Sequence, residues 1–182
     1  MNAVRESRVR AEVLHHAVAR LEPDALARLR ALPELRKADD AALREAAPSM
    51  RRKHCLAVVA HELGFTSWEH AKRVLDGDAS EVDFGKLLYG DKWAARLNHW
   101  FATYDEARTF LDGATREDDP KYLLAYKRHF FLVDRHYIEA VGLDPDDADW
   151  RAIGWDWARP KSQEARRRLY AKVLSAQRIQ AG

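Results

Sequence analysis

DPKYLLAYKRHFFLVDRHYIEAVG, residues 119 to 142, is the stretch whose reading decides the fold class. Asp119 stands where a helix N-cap belongs and Pro120 at the first helical position, where its missing N–H costs nothing. Tyr122, Tyr126, Phe130, Val133 and Tyr137 then recur at helical spacing up to Gly142, about six turns on. The pattern predicts one long helix from Pro120 to Val141. No run in the chain shows sustained two-residue alternation with β-branched enrichment, so the expected fold class is all-α, without a substantial sheet.

The flanking sequence repeats this grammar. Val9, Val13, His16, Ala17 and Arg20 mark a first helix; Glu22-Pro23-Asp24 starts a second through Leu26, Leu29 and Leu32, and Pro33 ends it. Asp39 is placed to cap a short helix carrying Leu43. Pro48-Ser49 opens a longer one with Leu56, Val59, Ala60 and Leu63 inward, closed by Gly64 in a left-handed C-cap. Thr66-Ser67-Trp68-Glu69 and Thr103-Tyr104-Asp105-Glu106 both have capping-box spacing; the second helix so started ends at Gly113. Between them a helix is expected through Trp93, Leu97, Trp100 and Phe101. After Asp144-Pro145 comes a Trp-rich connector, DWRAIGWDWARP (149–160), and a final helix through Ala165, Leu169, Val173 and Leu174. The resulting architecture is bundle-like: an N-terminal helical hairpin unit, 1–76, packed on a larger helical unit, 80–182, or one continuous domain.

Within LAVVAHELGFTSWEHAKRVL, residues 56 to 75, the set Ala60, Leu63, Gly64, Phe65, Ser67, Trp68 and Leu75 resembles the short "GF.SW..L" helical segment that bacterial proteins carry ahead of ankyrin repeats and that also occurs in proteins assigned to the glyoxalase superfamily. The resemblance covers roughly residues 40 to 76. It implies a packing motif of a glycine-ended helix, an aromatic wedge and a capped second helix. Glyoxalase activity does not follow, because that chemistry rests on strands bearing metal-binding His and Glu. The same hairpin read as a DNA-binding helix-turn-helix is about two places out of phase, since it would turn His70 and Arg73 to the core.

Composition bounds the rest. With 47% hydrophobic and 33% charged residues the chain reads as folded, and one cysteine, Cys55, excludes a disulfide framework or a cysteine-rich zinc site. The charged N-terminus and the lack of an 18-residue apolar window make the expected location the bacterial cytoplasm, with no membrane association. Residues 77–158 hold 10 Lys and Arg against 17 Asp and Glu, and residues 159–182 hold 7 against 1, so a basic tail helix is expected to dock on the acidic middle of its own chain.

Candidate chemistry is sparse. His129, His136 and Glu139 would lie beside the stripe of the long helix, with His136 and Glu139 an i,i+3 acid–base pair, and Tyr126, Trp155 and Trp157 would line a pocket there. Arg51, Arg52 and Lys53 place three cations in a first helical turn, against the macrodipole; a phosphate or nucleic-acid backbone would offset that, with Arg167 extending the basic surface, or else Asp39, Asp40 or Glu45 pairs with them. His61-Glu62 fails as a zinc-protease signature because Phe65 takes the second histidine position. His54/His61 and His129/His136 are each seven apart, about 10 Å along a helix, too far to share an ion, so neither metal nor cofactor is expected. The function expected is a non-enzymatic binding or regulatory protein with a protein partner or a second copy. The alternative is an enzyme or small-ligand binder using a pocket at the 120–141 helix, and the weaker one is nucleic-acid binding.

Overall fold

The structure is a computed structural model describing residues 2–89, 99–116 and 118–180. It is mostly helical but contains a three-stranded antiparallel sheet, so the fold is α+β and the all-α expectation is corrected. The chain divides into two compact units, Val4–Lys72 and Arg73–Gly182, with Met1–Ala3 counted to the second.

The first unit is built from α1 (Ala3–Ala19), α2 (Pro23–Arg28), α3 (Asp40–Ala46) and α4 (Arg52–Glu62), and runs into α5 (Trp68–Leu75). The buried face of α1 is Val4, Ser7, Ala11, Leu14 and Val18, at helical spacing, while Val9 and Val13, expected inward, are exposed. Leu21 takes a left-handed turn (φ 58°), and Pro23 opens α2. The Asp39 side chain accepts the Ala42 N–H at 2.8 Å and caps α3, as its position predicts. Pro48-Ser49 does not open α4 but closes a 3-10 turn over Ala47–Ser49; α4 starts at Arg52. It buries Cys55, Val58, Val59 and Ala60, leaving Leu56 only half-buried. Gly64 (φ 83°) ends this helix in a Schellman motif, the Gly64 N–H donating to His61 O and the Phe65 N–H to Ala60 O, both at 2.9 Å.

The second unit contains β1 (His99–Phe101), α6 (Tyr104–Ala114), β2 (Tyr122–Tyr126), β3 (His129–Val133), α7 (Arg135–Ala140), α8 (Ala148–Ile153) and α9 (Gln163–Gln180). The single helix expected from Pro120 to Val141 is therefore a β-hairpin followed by a six-residue helix. The strands run antiparallel in the order β1-β3-β2, with Tyr126 opposite His129 and Leu123 opposite Leu132. Tyr122 to Ala125 and Phe131 to Val133 are all buried, so both sheet faces are covered. Such a strand shows no apolar–polar alternation, and a continuous apolar run of that length does not separate strand from helix. The reversal at Lys127-Arg128 lacks Gly and Asn; Lys127 itself takes φ 50° and its peptide pairs with residues 84 and 85. Asp134, not Asp119, is the N-cap, accepting the Tyr137 N–H at 3.0 Å, while Gly142 (φ 83°) ends α7 as expected. Trp100 and Phe101 lie in a strand, and the Trp93 and Leu97 part of their expected helix falls outside the described residues.

One sheet face carries α6, with Ala107 and Leu111 on Leu123 and Leu132. Thr103 caps that helix (3.4 Å to the Glu106 N–H), which runs one residue past Gly113. From the other face aromatic rings lead into the core, Tyr122 on Trp150 (5.0 Å), Trp150 on Trp157 (5.7 Å), Trp157 on Tyr170 (4.8 Å). The connector, partly helical as α8, adds a parallel bridge to β2: the Leu123 N–H donates to Trp155 O at 2.8 Å and the Trp157 N–H to Leu123 O at 2.9 Å. α9 buries Ala165, Leu169, Val173 and Leu174, the four residues its spacing singles out.

Candidate functional site

The hairpin separates the residues that a long helix would have aligned. His129 opens β3 and is exposed; His136 is on α7 with its side chain 71% exposed. His136 Nδ1 and Glu139 Oε2 do come within 3.4 Å, as i,i+3 spacing predicts, but on an open helix surface where Glu139 also faces Arg135 at 3.6 Å. Tyr126, Trp155 and Trp157 are not brought together either. Tyr126 joins Tyr89 (4.7 Å) and Trp100 (6.2 Å), and Trp157 is wholly buried.

Trp155 lines a cleft of about 240 Å³ with Arg135, Asp146, Trp150 and Arg151. Its backbone is left-handed (φ 53°), held by the Trp155 N–H donating to Trp150 O and its own carbonyl accepting from Leu123. Several charges of the cleft are already paired: Arg135 Nη2 donates to Asp146 at 3.0 Å, and Asp147 pairs with Lys172 of α9, outside the lining.

A second polar centre had no signal in the sequence. Asp156, 1% exposed, accepts the Tyr104 hydroxyl at 2.6 Å, Arg108 Nη1 at 3.2 Å and the Arg159 N–H at 2.9 Å. The Arg159 guanidinium sits 3.9 Å from the Tyr104 ring centre. Burial first, then the Asp156 carboxylate, push the Tyr104 phenol well above its ordinary range. These contacts tie the connector to α6.

The cations expected to hold phosphate are placed otherwise. The Arg51 N–H donates to His54 Nδ1 at 3.0 Å at the start of α4, and Arg52 pairs with Glu12 of α1 at 3.4 Å, not with the acids just upstream. Asp39 is an N-cap and Asp40 pairs with Arg30 at 2.7 Å; Lys53 is exposed. In the tail, Arg167 donates to the Asp76 carbonyl, Arg168 binds Asp149 in a fork (2.6 and 3.0 Å), and Lys172 reaches Asp149 at 2.8 Å. These contacts dock the basic helix on the acidic segment of the same unit.

The α4–α5 hairpin is more histidine-dependent than its spacing suggests. The N-cap of α5 is Ser67, accepting the His70 N–H at 3.1 Å, and His70 Nδ1 takes the place expected of a carboxylate, accepting the Thr66 N–H at 3.3 Å. His70 is buried edge-on against Phe65 (5.2 Å), Trp68 is only half-buried, and Arg73 points outward to Glu81. His61 spans the Ala31 and Thr66 carbonyls at 2.8 and 3.2 Å.

Two large aromatic side chains are exposed at and beside β1. Trp100 is 44% exposed on one sheet face, stacked on Phe131 at 4.7 Å; Phe110 of α6 is 42% exposed on the other, stacked on His99 at 5.0 Å and tilted on Phe101 at 5.5 Å. β1 is the outer strand of the named sheet, and a broad, open hollow of about 790 Å³ runs along α6 over Asp105, Glu106, Thr109, Phe110, Gly113 and Ala114. Among the described residues no group of three or more His, Cys, Asp and Glu is arranged to hold a metal, and no helix is long and apolar enough to cross a membrane. Comparison with protein-family models, with curated proteins and with solved structures found no match for the chain.

Proposed function

We propose that this chain is a non-enzymatic binding protein that receives an apolar, cationic segment of a protein partner along β1 and α6. The observation that carries this reading is the pair of large aromatics, Trp100 and Phe110, exposed on opposite sides of a short outer strand beside a mainly apolar hollow. Exposed aromatic rings beside an apolar hollow suit an apolar partner, and an outer strand offers backbone N–H and C=O groups to an extended peptide. Asp105 and Glu106 on the hollow's lining favour lysine or arginine in the guest and disfavour a second copy presenting the same acids. Against a nucleic-acid reading, three of the tail's cations are already engaged within the unit, Arg168 with Asp149, Lys172 with Asp147 and Arg167 with the Asp76 carbonyl.

The experiment is selection from a random 12-residue peptide library on the intact protein, followed by hydrogen exchange with a selected peptide bound. The reading expects apolar sequences interspersed with Lys or Arg, slowed exchange at 99–101, and loss of binding in Trp100→Ala/Phe110→Ala. Peptides that bind the double variant equally well, or that protect the Trp155 cleft instead, would sink it.

A further inference from the structure

Gly113 belongs to the helical part of α6, is exposed, and lines the hollow beside β1. Apart from its chain neighbours and the helix's own backbone, a Cβ added there would meet no described atom within 4 Å, so the chain's own packing imposes no need for glycine. Glycine in a helix is costlier than alanine, because it gives up more backbone freedom on folding. What the missing side chain leaves is open floor one turn from Phe110, itself 42% exposed, and next to Ala114. At the other end of the hollow stand Asp105 and Glu106, both exposed, and among the described residues neither carboxylate has a hydrogen-bond or ion-pair partner. Asp112, off the lining, is by contrast tied to Arg108 at 2.5 Å. Between the two ends, Thr109 Oγ1 donates to the Asp105 carbonyl at 2.8 Å, so its hydroxyl proton is committed to the helix.

The hollow therefore has an apolar end at Phe110, Gly113 and Ala114 and an anionic end at Asp105 and Glu106. Asp105 and Gly113 are eight residues apart on α6, about 12 Å along its axis. An extended chain covers that distance in about four residues, and residues four apart project to the same side. A helical guest would need about eight. Resting on the reading that β1 and α6 receive a segment of a protein partner, we propose that the hollow recognises an extended guest by two side chains four residues apart. A large apolar one is seated over Gly113, and a lysine or arginine lies on Asp105 and Glu106. Gly113 is then a specificity-determining residue, because any side chain there would occupy the seat.

The test uses peptides selected from the random 12-residue library on the whole chain, read for spacing and then titrated calorimetrically against two variants. Large apolar residues and Lys or Arg four positions apart are expected to be enriched. Gly113→Leu fills the seat with a good helix former, so it should melt no lower than the parent yet bind the selected peptides about tenfold more weakly. Replacing the peptide's basic residue by norleucine should weaken binding to the parent several-fold and leave binding to Asp105→Asn/Glu106→Gln unchanged. Peptides that depend on Trp100 and Phe110 but show another spacing, seven or eight included, or that bind Gly113→Leu undiminished, overturn this inference and leave the partner-binding reading intact. A preference for the cation that survives in Asp105→Asn/Glu106→Gln overturns it as well. If no selected peptide depends on Trp100 and Phe110, both fail. Should Gly113→Leu melt below the parent, the spacing and the carboxylate variant decide.

Discussion

Arg168 on α9 holds Asp149 on α8 through a charge-assisted fork, with Nη2 2.6 Å and Nε 3.0 Å from Oδ1. With Lys172 at 2.8 Å on the other oxygen, the carboxylate is the fixed point at which the basic tail meets the acidic middle of the chain. Asp149 is nearly buried while Arg168 is half-exposed, so the pair serves placement more than strength.

The hydrogen bond from Arg168, ahead of the opposing effect of burial, lowers the Asp149 pKa from its ordinary value. A carboxylate whose native pKa is depressed adds stability that is fully present above its unfolded range, near pH 4, and is lost as pH falls through the native value. Asp149→Asn is therefore expected to lower Tm at neutral pH and to flatten the decline of Tm below about pH 4. Equal acid sensitivity of variant and parent in thermal melts would contradict this.

Lys127 occupies a left-handed conformation, φ 50°, in the two-residue reversal between β2 and β3. Glycine adopts it freely and keeps the N–H that donates to Gly85 O at 2.7 Å. Lys127→Gly should stabilise by about 0.5–1 kcal/mol, the relief of the side-chain clash outweighing the added freedom of the unfolded chain. Urea unfolding measures it, and a loss of stability would contradict the hairpin geometry.

In the α4–α5 hairpin the aromatic anchor is Phe65, 2% exposed, and Trp68 is half-buried. Phe65→Ala should cost about 3–5 kcal/mol and Trp68→Ala about 1–2 kcal/mol, reversing the order that ring size alone suggests. Denaturant titration of both variants checks the ranking; a greater loss for Trp68→Ala would overturn it.

Tyr104→Phe removes one of three donors to Asp156 and leaves Arg108 and the Arg159 N–H in place. The expected loss is about 1–1.5 kcal/mol, whereas Asp156→Ala strips the acceptor from all three at once and should cost about 3 kcal/mol or more. If Tyr104→Phe proves as damaging as Asp156→Ala, the hub reading fails.

Local features were legible from sequence because their causes lie within one or two helical turns. Asp39 and Thr103 cap where a short oxygen precedes a helical run, Gly64 and Gly142 stop helices where a left-handed residue is needed, and α9 buries the face that its 3.6-residue spacing marks. The docking of the tail was also visible, as a charge contrast between adjacent segments. Other outcomes depended on tertiary structure. Residues 122–133 are apolar enough for either a helix or two strands, and burial of both sheet faces selected strands while erasing the alternation that would have announced them. The exposure of Trp100 and Phe110 and the meeting of Tyr104 with Asp156 across 52 residues of sequence follow from that same packing. A sequence specifies contacts directly only over the few residues that share a turn; which distant side chains meet is set by the sheet, once its formation has made those positions neighbours.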